Sequence, residues 1–313
     1  MYSKILVPLD GSRLAEGVLP YARAFAEALK IPVELFQVVE PEPIATFSDP
    51  EHGRYVDAVQ AGLKGSALDY LEAVAASFFD SLAVDCSVEI GRPAEAIVHK
   101  GAAQGRTLVA MATHGRSGLR RWLLGSVAEK VLRASSNHLL LIRPSGDIQV
   151  SGVARLDKAI VALDGSPLAE NAIPPVALLA KKMDMEIQLL QVYALPRTSY
   201  VADEYLADME QMRQTFRAQA SDYLEARAYQ LQAEGLGRVA SLALEGDAAE
   251  VIINIARRTA NNLVVMCTHG RSGIGRWVLG SVTEKVVRHS GDPVLVIRAG
   301  VLDSARRRDY IEL

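Results

Sequence analysis

At 313 residues, half of them apolar and 23% charged, with a net charge of −3, the chain has an ordinary globular composition and room for two domains of about 150 residues. The near-neutral balance argues against a nucleic-acid binder, which shows a basic excess or stripe, and no apolar run approaches the ~20 residues that span a bilayer. Cys86 and Cys267 lie in different halves at non-equivalent places, so no disulfide framework is present; a reducing cytoplasm is the simple reading, and the N-terminus carries no signal-peptide pattern.

Taken in chain order, Ile5–Leu9 is a short apolar strand ending at Asp10-Gly11-Ser12. Leu14, Val18, Tyr21, Phe25 and Leu29 then form a helical stripe. Pro20 stands inside that stripe and Pro174 at the matching place later, so a proline kink within this helix is expected twice. Val33–Val39 reads as a second strand, residues 41–55 as a loop, and Val56–Leu82 as a long helix. Val84–Ile90 alternates as a strand, Gly91-Arg92-Pro93 opens a helix reaching about Gln104, and Thr107–Ala112 is a fourth, continuously apolar strand. Gly125–Arg133 is helical, with Val127, Val131 and Leu132 on one face and Glu129 paired to Arg133, and Leu139–Arg143 closes the half.

The second half repeats this order with strands Ala159–Leu163, Glu186–Val192, Val239–Leu244, Leu263–Cys267 and Val294–Arg298, and a longer, more charged helix over Val201–Ala233. Two landmarks carry the repeat. Leu9-Asp10-Gly11-Ser12 returns as Leu163-Asp164-Gly165-Ser166, and residues 113–133 return as 268–288 with 16 of 21 positions identical. A near-constant offset means a duplicated domain rather than a short-period solenoid. Continuously apolar strands alternating with helices imply parallel sheets covered on both faces, and ligands in such sheets bind beyond the strand ends where strand order reverses. If strands one and four are neighbours, Asp10 and the glycine loop meet there. The Arg306-Arg307-Arg308 run reads as a solvated tail.

The repeated loop has phosphate-binding chemistry. Gly115 and Gly118 permit a tight turn with amides close to an anion, and Gly125-Ser126 opens a helix whose free N–H groups and positive dipole end favour phosphate. Asp10 suits a ribose hydroxyl, because a carboxylate only accepts hydrogen bonds, and Arg116 either reaches a phosphate or is solvated. Asp164, Gly270, Arg271, Gly273, Gly280 and Ser281 take the same roles in the second half. The competing interpretation is a glycine-rich turn with a serine cap and no ligand. His114 and His269 stand without a ligand partner at metal spacing, so loop hydrogen bonding is favoured over catalysis. Trp122 and Trp277 read as packing residues, and Cys267, whose counterpart is Ala112, as a small strand-end residue rather than a nucleophile. Neither a Walker A loop nor the Gly-x-Gly-x-x-Gly fingerprint is present.

These motifs together (the strand-one Asp-Gly-Ser, Thr-His-Gly-Arg-Ser-Gly, Gly-Ser-Val-x-Glu-Lys-Val and a closing Ile-Arg) resemble those of the universal stress protein family, twice over, across residues 1–299. The resemblance implies two tandem α/β domains, each a doubly wound five-stranded parallel sheet of the adenine nucleotide alpha hydrolase-like kind, related by pseudo-twofold symmetry. Domain bounds of 1–146 and 156–299 follow, with a linker over 147–155 and a tail over 300–313. The family's ATP pattern, Gly-x2-Gly-x9-Gly-Ser/Thr, aligns on Gly115 with Gly125-Ser126 and on Gly270 with Gly280-Ser281; its first glycine is replaced by Ala112 and by Cys267. By resemblance the first nucleotide site comprises Pro8, Asp10, Val38, Ala112, Thr113, His114, Gly115, Arg116, Ser117, Gly118, Gly125, Ser126 and Val127. The second comprises Ala162, Asp164, Val192, Cys267, Thr268, His269, Gly270, Arg271, Ser272, Gly273, Gly280, Ser281 and Val282. Val38 and Val192 offer backbone contacts to adenine. The implied cofactor is ATP with Mg²⁺, and the implied role is nucleotide-dependent regulation of stress survival through an unidentified protein partner. The last strands of the two halves are expected to pair with each other, or with a second chain in a homodimer. A weak ATPase or nucleotidyl transferase on the same fold, and a nucleotide-free scaffold, remain the alternatives.

Overall fold

The apolar runs become strands and the stripes between them helices, with boundaries set by proline and glycine. The structure, a computed structural model, describes residues 2–40, 50–79, 82–114, 124–143, 152–195, 203–268 and 279–298. The chain divides into two units, Met1–Arg155 and Leu156–Leu313.

In the first unit β1 (Lys4–Leu9) leads through α1 (Arg13–Glu16) and α2 (Leu19–Leu29) to β2 (Val33–Val39). Then come α3 (Pro50–Phe78), β3 (Val84–Ile90), α4 (Pro93–Ala103), β4 (Thr107–Ala112), α5 (Ser126–Ala134) and β5 (His138–Ile142). The strands lie in the order β3-β2-β1-β4-β5, and all four pairings are parallel. β1 sits between β2 and β4, with Ile5 opposite both Val33 and Leu108. That is the point where strand order reverses. α2 and α3 are tied on one face, where Arg23 donates to the Phe78 carbonyl at 2.9 Å; α4 and α5 pack together on the other. The central strands are buried on both sides, and every residue of β4 is enclosed, whereas the edge strand β3 is only half-covered.

The second unit repeats the plan. β6 (Lys158–Leu163), a 3₁₀ turn over Ala169–Ala172, α6 (Ile173–Met183), β7 (Glu186–Tyr193), α7 (Asp203–Ala233), β8 (Val239–Glu245), α8 (Ala248–Arg258), β9 (Asn262–Cys267), α9 (Ser281–His289) and β10 (Val294–Ile297) follow in order. Its strands run β8-β7-β6-β9-β10, again all parallel.

Three sequence expectations change. Pro20 and Pro174 do not kink a helix; each lies in the first turn of a new one, α2 or α6, after a short preceding turn. A first-turn proline lacks only an N–H that the helix has no use for, so the break costs little there. Residues 50–55 are not loop but the start of α3, with Pro50 as its first residue. On α5 the buried face is Ala128, Val131 and Leu132; a helix that begins at Ser126 turns Val127 away from that i, i+3, i+4 set. The segments 41–49, 144–151 and 299–313 lie outside the described residues, and so do Trp122, Trp277 and the arginine run.

Candidate functional site at the strand ends

Asp10 ends β1, and its first task is to build the turn that follows. Gly11 takes φ +80°, the left-handed region in which glycine is at ease. That lets the Ser12 amide (3.0 Å) and hydroxyl (2.6 Å) both donate to Asp10 Oδ1. Ser12 Oγ in turn accepts from the Ala15 amide at 3.2 Å and caps α1. Asp164-Gly165-Ser166 reproduces this arrangement, with 2.9 and 2.6 Å to Asp164 Oδ1 and φ +82° at Gly165. Each carboxylate is therefore held in place at the lip of its sheet by its own turn.

Across the reversal point, β4 ends at Ala112 and the chain comes back against it at Gly125. The Gly125 amide donates to the Thr113 carbonyl at 2.8 Å. A Cβ added to Gly125 would stand 2.9 Å from that same backbone oxygen. Gly280 and Thr268 repeat the contact, with a 2.7 Å hydrogen bond and the same 2.9 Å approach. Both glycines are thus fixed by close packing of backbone on backbone. A consequence is that α5 and α9 begin with a residue that has no side chain to cap them. The first hydrogen bond inside α5 is Glu129 N–H to the Gly125 carbonyl at 2.8 Å, so the amides of Ser126, Val127 and Ala128 have no acceptor within the helix. Three donors at the positive end of the helix dipole stand at the mouth of the crevice, an arrangement that favours an anion.

The crevice between these elements has a volume of about 760 Å³. It brings Pro8, Asp10 and Val38 together with Ala112, Thr113 and His114 on one side and with Gly125, Ser126 and Val127 on the other. His114 Nδ1 shares a 3.0 Å hydrogen bond with Thr113 Oγ1. Gly115, Arg116, Ser117 and Gly118 lie outside the described residues.

Sequence reasoning missed several walls of the crevice, among them Phe36, Gln37, Ile97 and, from α3, Tyr70. The Tyr70 hydroxyl donates to Glu16 at 2.9 Å, which fixes its ring beside the cavity. Tyr223 does the same to Glu170 at 3.1 Å. This recurrence of a Glu and a distant Tyr in both halves was the signal available for it.

In the second unit Ala162, Asp164, Val192, Cys267, Gly280, Ser281 and Val282 also converge, but on a cavity of about 290 Å³. Thr268 is fully buried, while His269, Gly270, Arg271, Ser272 and Gly273 lie outside the described residues. The buried Cys267 thiol points to the Ala169 carbonyl, 3.5 Å away. Burial, with a smaller push from the Asp164 charge, raises its pKa to about 12, so it stays a neutral thiol rather than a nucleophile. Thr283 Oγ1 donates to the Cys267 carbonyl at 2.8 Å.

Among the described residues no group of three or more His, Cys, Asp or Glu side chains is arranged to hold a metal ion. None of their helices is long and apolar enough to cross a membrane. The geometry can hold an anion at each helix start and an apolar, flat group over the strand ends, with a carboxylate between them.

The sequence pattern described as the universal stress protein family matches residues 1–143 and again 156–298. A universal stress protein of Mycolicibacterium smegmatis is 23% identical over 298 residues, covering 94% of this chain and 96% of that protein. The Bacillus subtilis universal stress protein YxiE is 30% identical over 150 residues, 45% of this chain and 99% of its own length. Among solved structures, a universal stress protein from Archaeoglobus fulgidus aligns with a TM-score of 0.65 at 21% identity, covering 96% of this chain and all of that one.

Proposed function

The chain belongs to the universal stress protein family, and on that premise we propose that it binds an adenine nucleotide, ATP with its Mg²⁺, at the strand-end crevice of the first unit. In this reading it is a nucleotide-dependent regulator of the stress response, working in the cytoplasm through a protein partner. The observation that carries the proposal is the uncapped start of α5, held open by Gly125, facing Asp10 and Val38 across one 760 Å³ cavity. That volume lies within the usual range of small-molecule sites, about 300–1,000 Å³. The triphosphate would rest on the α5 amides, the ribose against Asp10, and the base over the end of β2. ATP would bring its own Mg²⁺, since the described residues supply no cation cluster. The same scarcity of acidic ligands and of a placed base favours a regulator over an ATPase.

Ser126→Asp tests this without disturbing the fold. Ser126 is exposed in the first turn of α5, where a carboxylate stabilises a helix by about 0.3–1 kcal/mol. The variant is expected to be as stable as the wild type or more so, and to bind ATP·Mg at least tenfold more weakly through repulsion of the phosphates. ATP affinity unchanged in this variant, measured by calorimetry, would remove the assignment.

A further inference from the structure

The two crevices share one plan but not one interior. Strand-end Ala112 is replaced by Cys267, and Ala128, in the first turn of α5, by Thr283 on α9; all four residues line their cavities. The Cys267 thiol lies against the 3₁₀ turn, on the Ala169 carbonyl at 3.5 Å, whereas in the first unit the matching Ala112 and Ala15 both line the cavity with no side-chain atom beyond Cβ. The Thr283 hydroxyl bonds the Cys267 carbonyl at 2.8 Å, and its side chain brings two more heavy atoms than Ala128 to the lining of the second cavity. A third difference lies on the long helix. Tyr70 and Tyr223 each donate to the matching glutamate, Glu16 or Glu170, but the second unit has Arg227 where the first has Val74, and its guanidinium reaches Glu170 at 3.0 Å and stacks 5.6 Å from the Tyr223 ring. Tyr223 is not among the residues lining the second cavity. The second crevice measures about 290 Å³ against 760 Å³ for the first, at the lower edge of the usual range of about 300–1,000 Å³ for small-molecule sites.

We propose that the chain takes one adenine nucleotide, in the first unit only, and that Cys267 and Thr283 close the second crevice to it. This rests on the adenine-nucleotide reading of the first crevice. It also explains why the second copy keeps its motif without needing a ligand. The Asp164-Gly165-Ser166 turn is complete within itself, and Gly280 is demanded by the Thr268 carbonyl. Both are structural requirements of the strand ends, and they hold whether or not a nucleotide is bound.

The experiment counts ATP·Mg sites per full chain by equilibrium dialysis and calorimetry, for the wild type and two double variants, with circular dichroism melting to verify folding. The wild type is expected to bind one equivalent. Cys267→Ala with Thr283→Ala, which gives the second crevice the floor of the first, is expected to bind two. Ala112→Cys with Ala128→Thr, the reciprocal exchange, is expected to bind none, or at least about a hundredfold more weakly. Two equivalent sites in the wild type overturn the proposal, as does a folded reciprocal variant that still binds one with full affinity. A folded Cys267→Ala, Thr283→Ala protein that stays at one site overturns the role of the two side chains. A wild type that binds no ATP at all fails differently: it removes the adenine-nucleotide reading itself, and this inference with it.

Discussion

Replacing Gly125 by alanine should destabilise the first unit although nothing about the backbone angles forbids it. Gly125 sits at φ −59° and ψ 145°, a conformation any residue adopts. Alanine there restricts the unfolded chain and by that route alone would stabilise by about 0.4–1 kcal/mol. Against this stands a Cβ only 2.9 Å from the Thr113 carbonyl oxygen. That oxygen is backbone, and it also accepts the Gly125 amide at 2.8 Å, so relief of the clash stretches or breaks the hydrogen bond. Overpacking of this kind costs about 1–3 kcal/mol, and a lost hydrogen bond about 0.5–1.5 kcal/mol more. The clash wins, with a net loss of about 0.5–4 kcal/mol. The control is Gly62→Ala on α3, where nothing lies within 4 Å of the new carbon and helix propensity predicts a gain of about 0.5–1 kcal/mol. Urea unfolding followed by circular dichroism reads both. A Gly125→Ala protein with a midpoint at or above that of Gly62→Ala would refute the reasoning that close backbone approach is what keeps glycine at this position. Because the contact also sets the start of α5, ATP binding should weaken in the same variant.

Two other outcomes are expected. Burial alone would raise the Glu34 pKa, but hydrogen bonds from Lys4, Lys100 and Ser87 outweigh it and hold the carboxyl below its ordinary value. A depressed folded-state pKa contributes stability that is present above the unfolded pKa, near 4.5, and is lost as pH falls through the folded value. Glu34→Gln should therefore destabilise the first unit at pH 7, by up to about 3 kcal/mol, and flatten the acid limb of its stability profile; an unchanged acid limb contradicts the ion cluster. For the cysteines, the buried thiol of Cys267, with its pKa raised to about 12, should resist alkylation at pH 8 until the second unit unfolds. Half-exposed Cys86 should react first, and mass mapping that finds Cys267 modified at the same rate rejects that burial.

Much of this architecture was legible from residue types. Strands β1, β4, β6 and β9 are continuously apolar because both faces are covered, and the sequence marks them within a residue or two. The order reversal beside Asp10 followed from parallel strands joined by helices. Other features depend on groups distant in sequence. Pro20 reads as a kink until the preceding short turn is seen to end before it. Pro50 and Gly53 read as loop punctuation, yet a proline in the first position begins a helix as readily as it ends one. Gly125 looked like a phosphate-loop glycine; its strict requirement is the Thr113 carbonyl 2.9 Å from where a Cβ would stand, which no local pattern encodes. The Ala112-to-Cys267 change was visible. That the thiol would turn toward Ala169, and that Thr283 would bond the strand end beside it, required the fold.

The central claim is that the crevice between Asp10 and α5 holds an adenine nucleotide. The most direct measurement is to denature the purified full chain and identify any released small molecule by chromatography and mass spectrometry, then to titrate the ligand-free protein with ATP·Mg. The account predicts released adenine nucleotide, or saturable ATP binding that Ser126→Asp weakens at least tenfold. A protein that releases none and binds no added ATP would contradict it and leave the strand-end turns as framework alone.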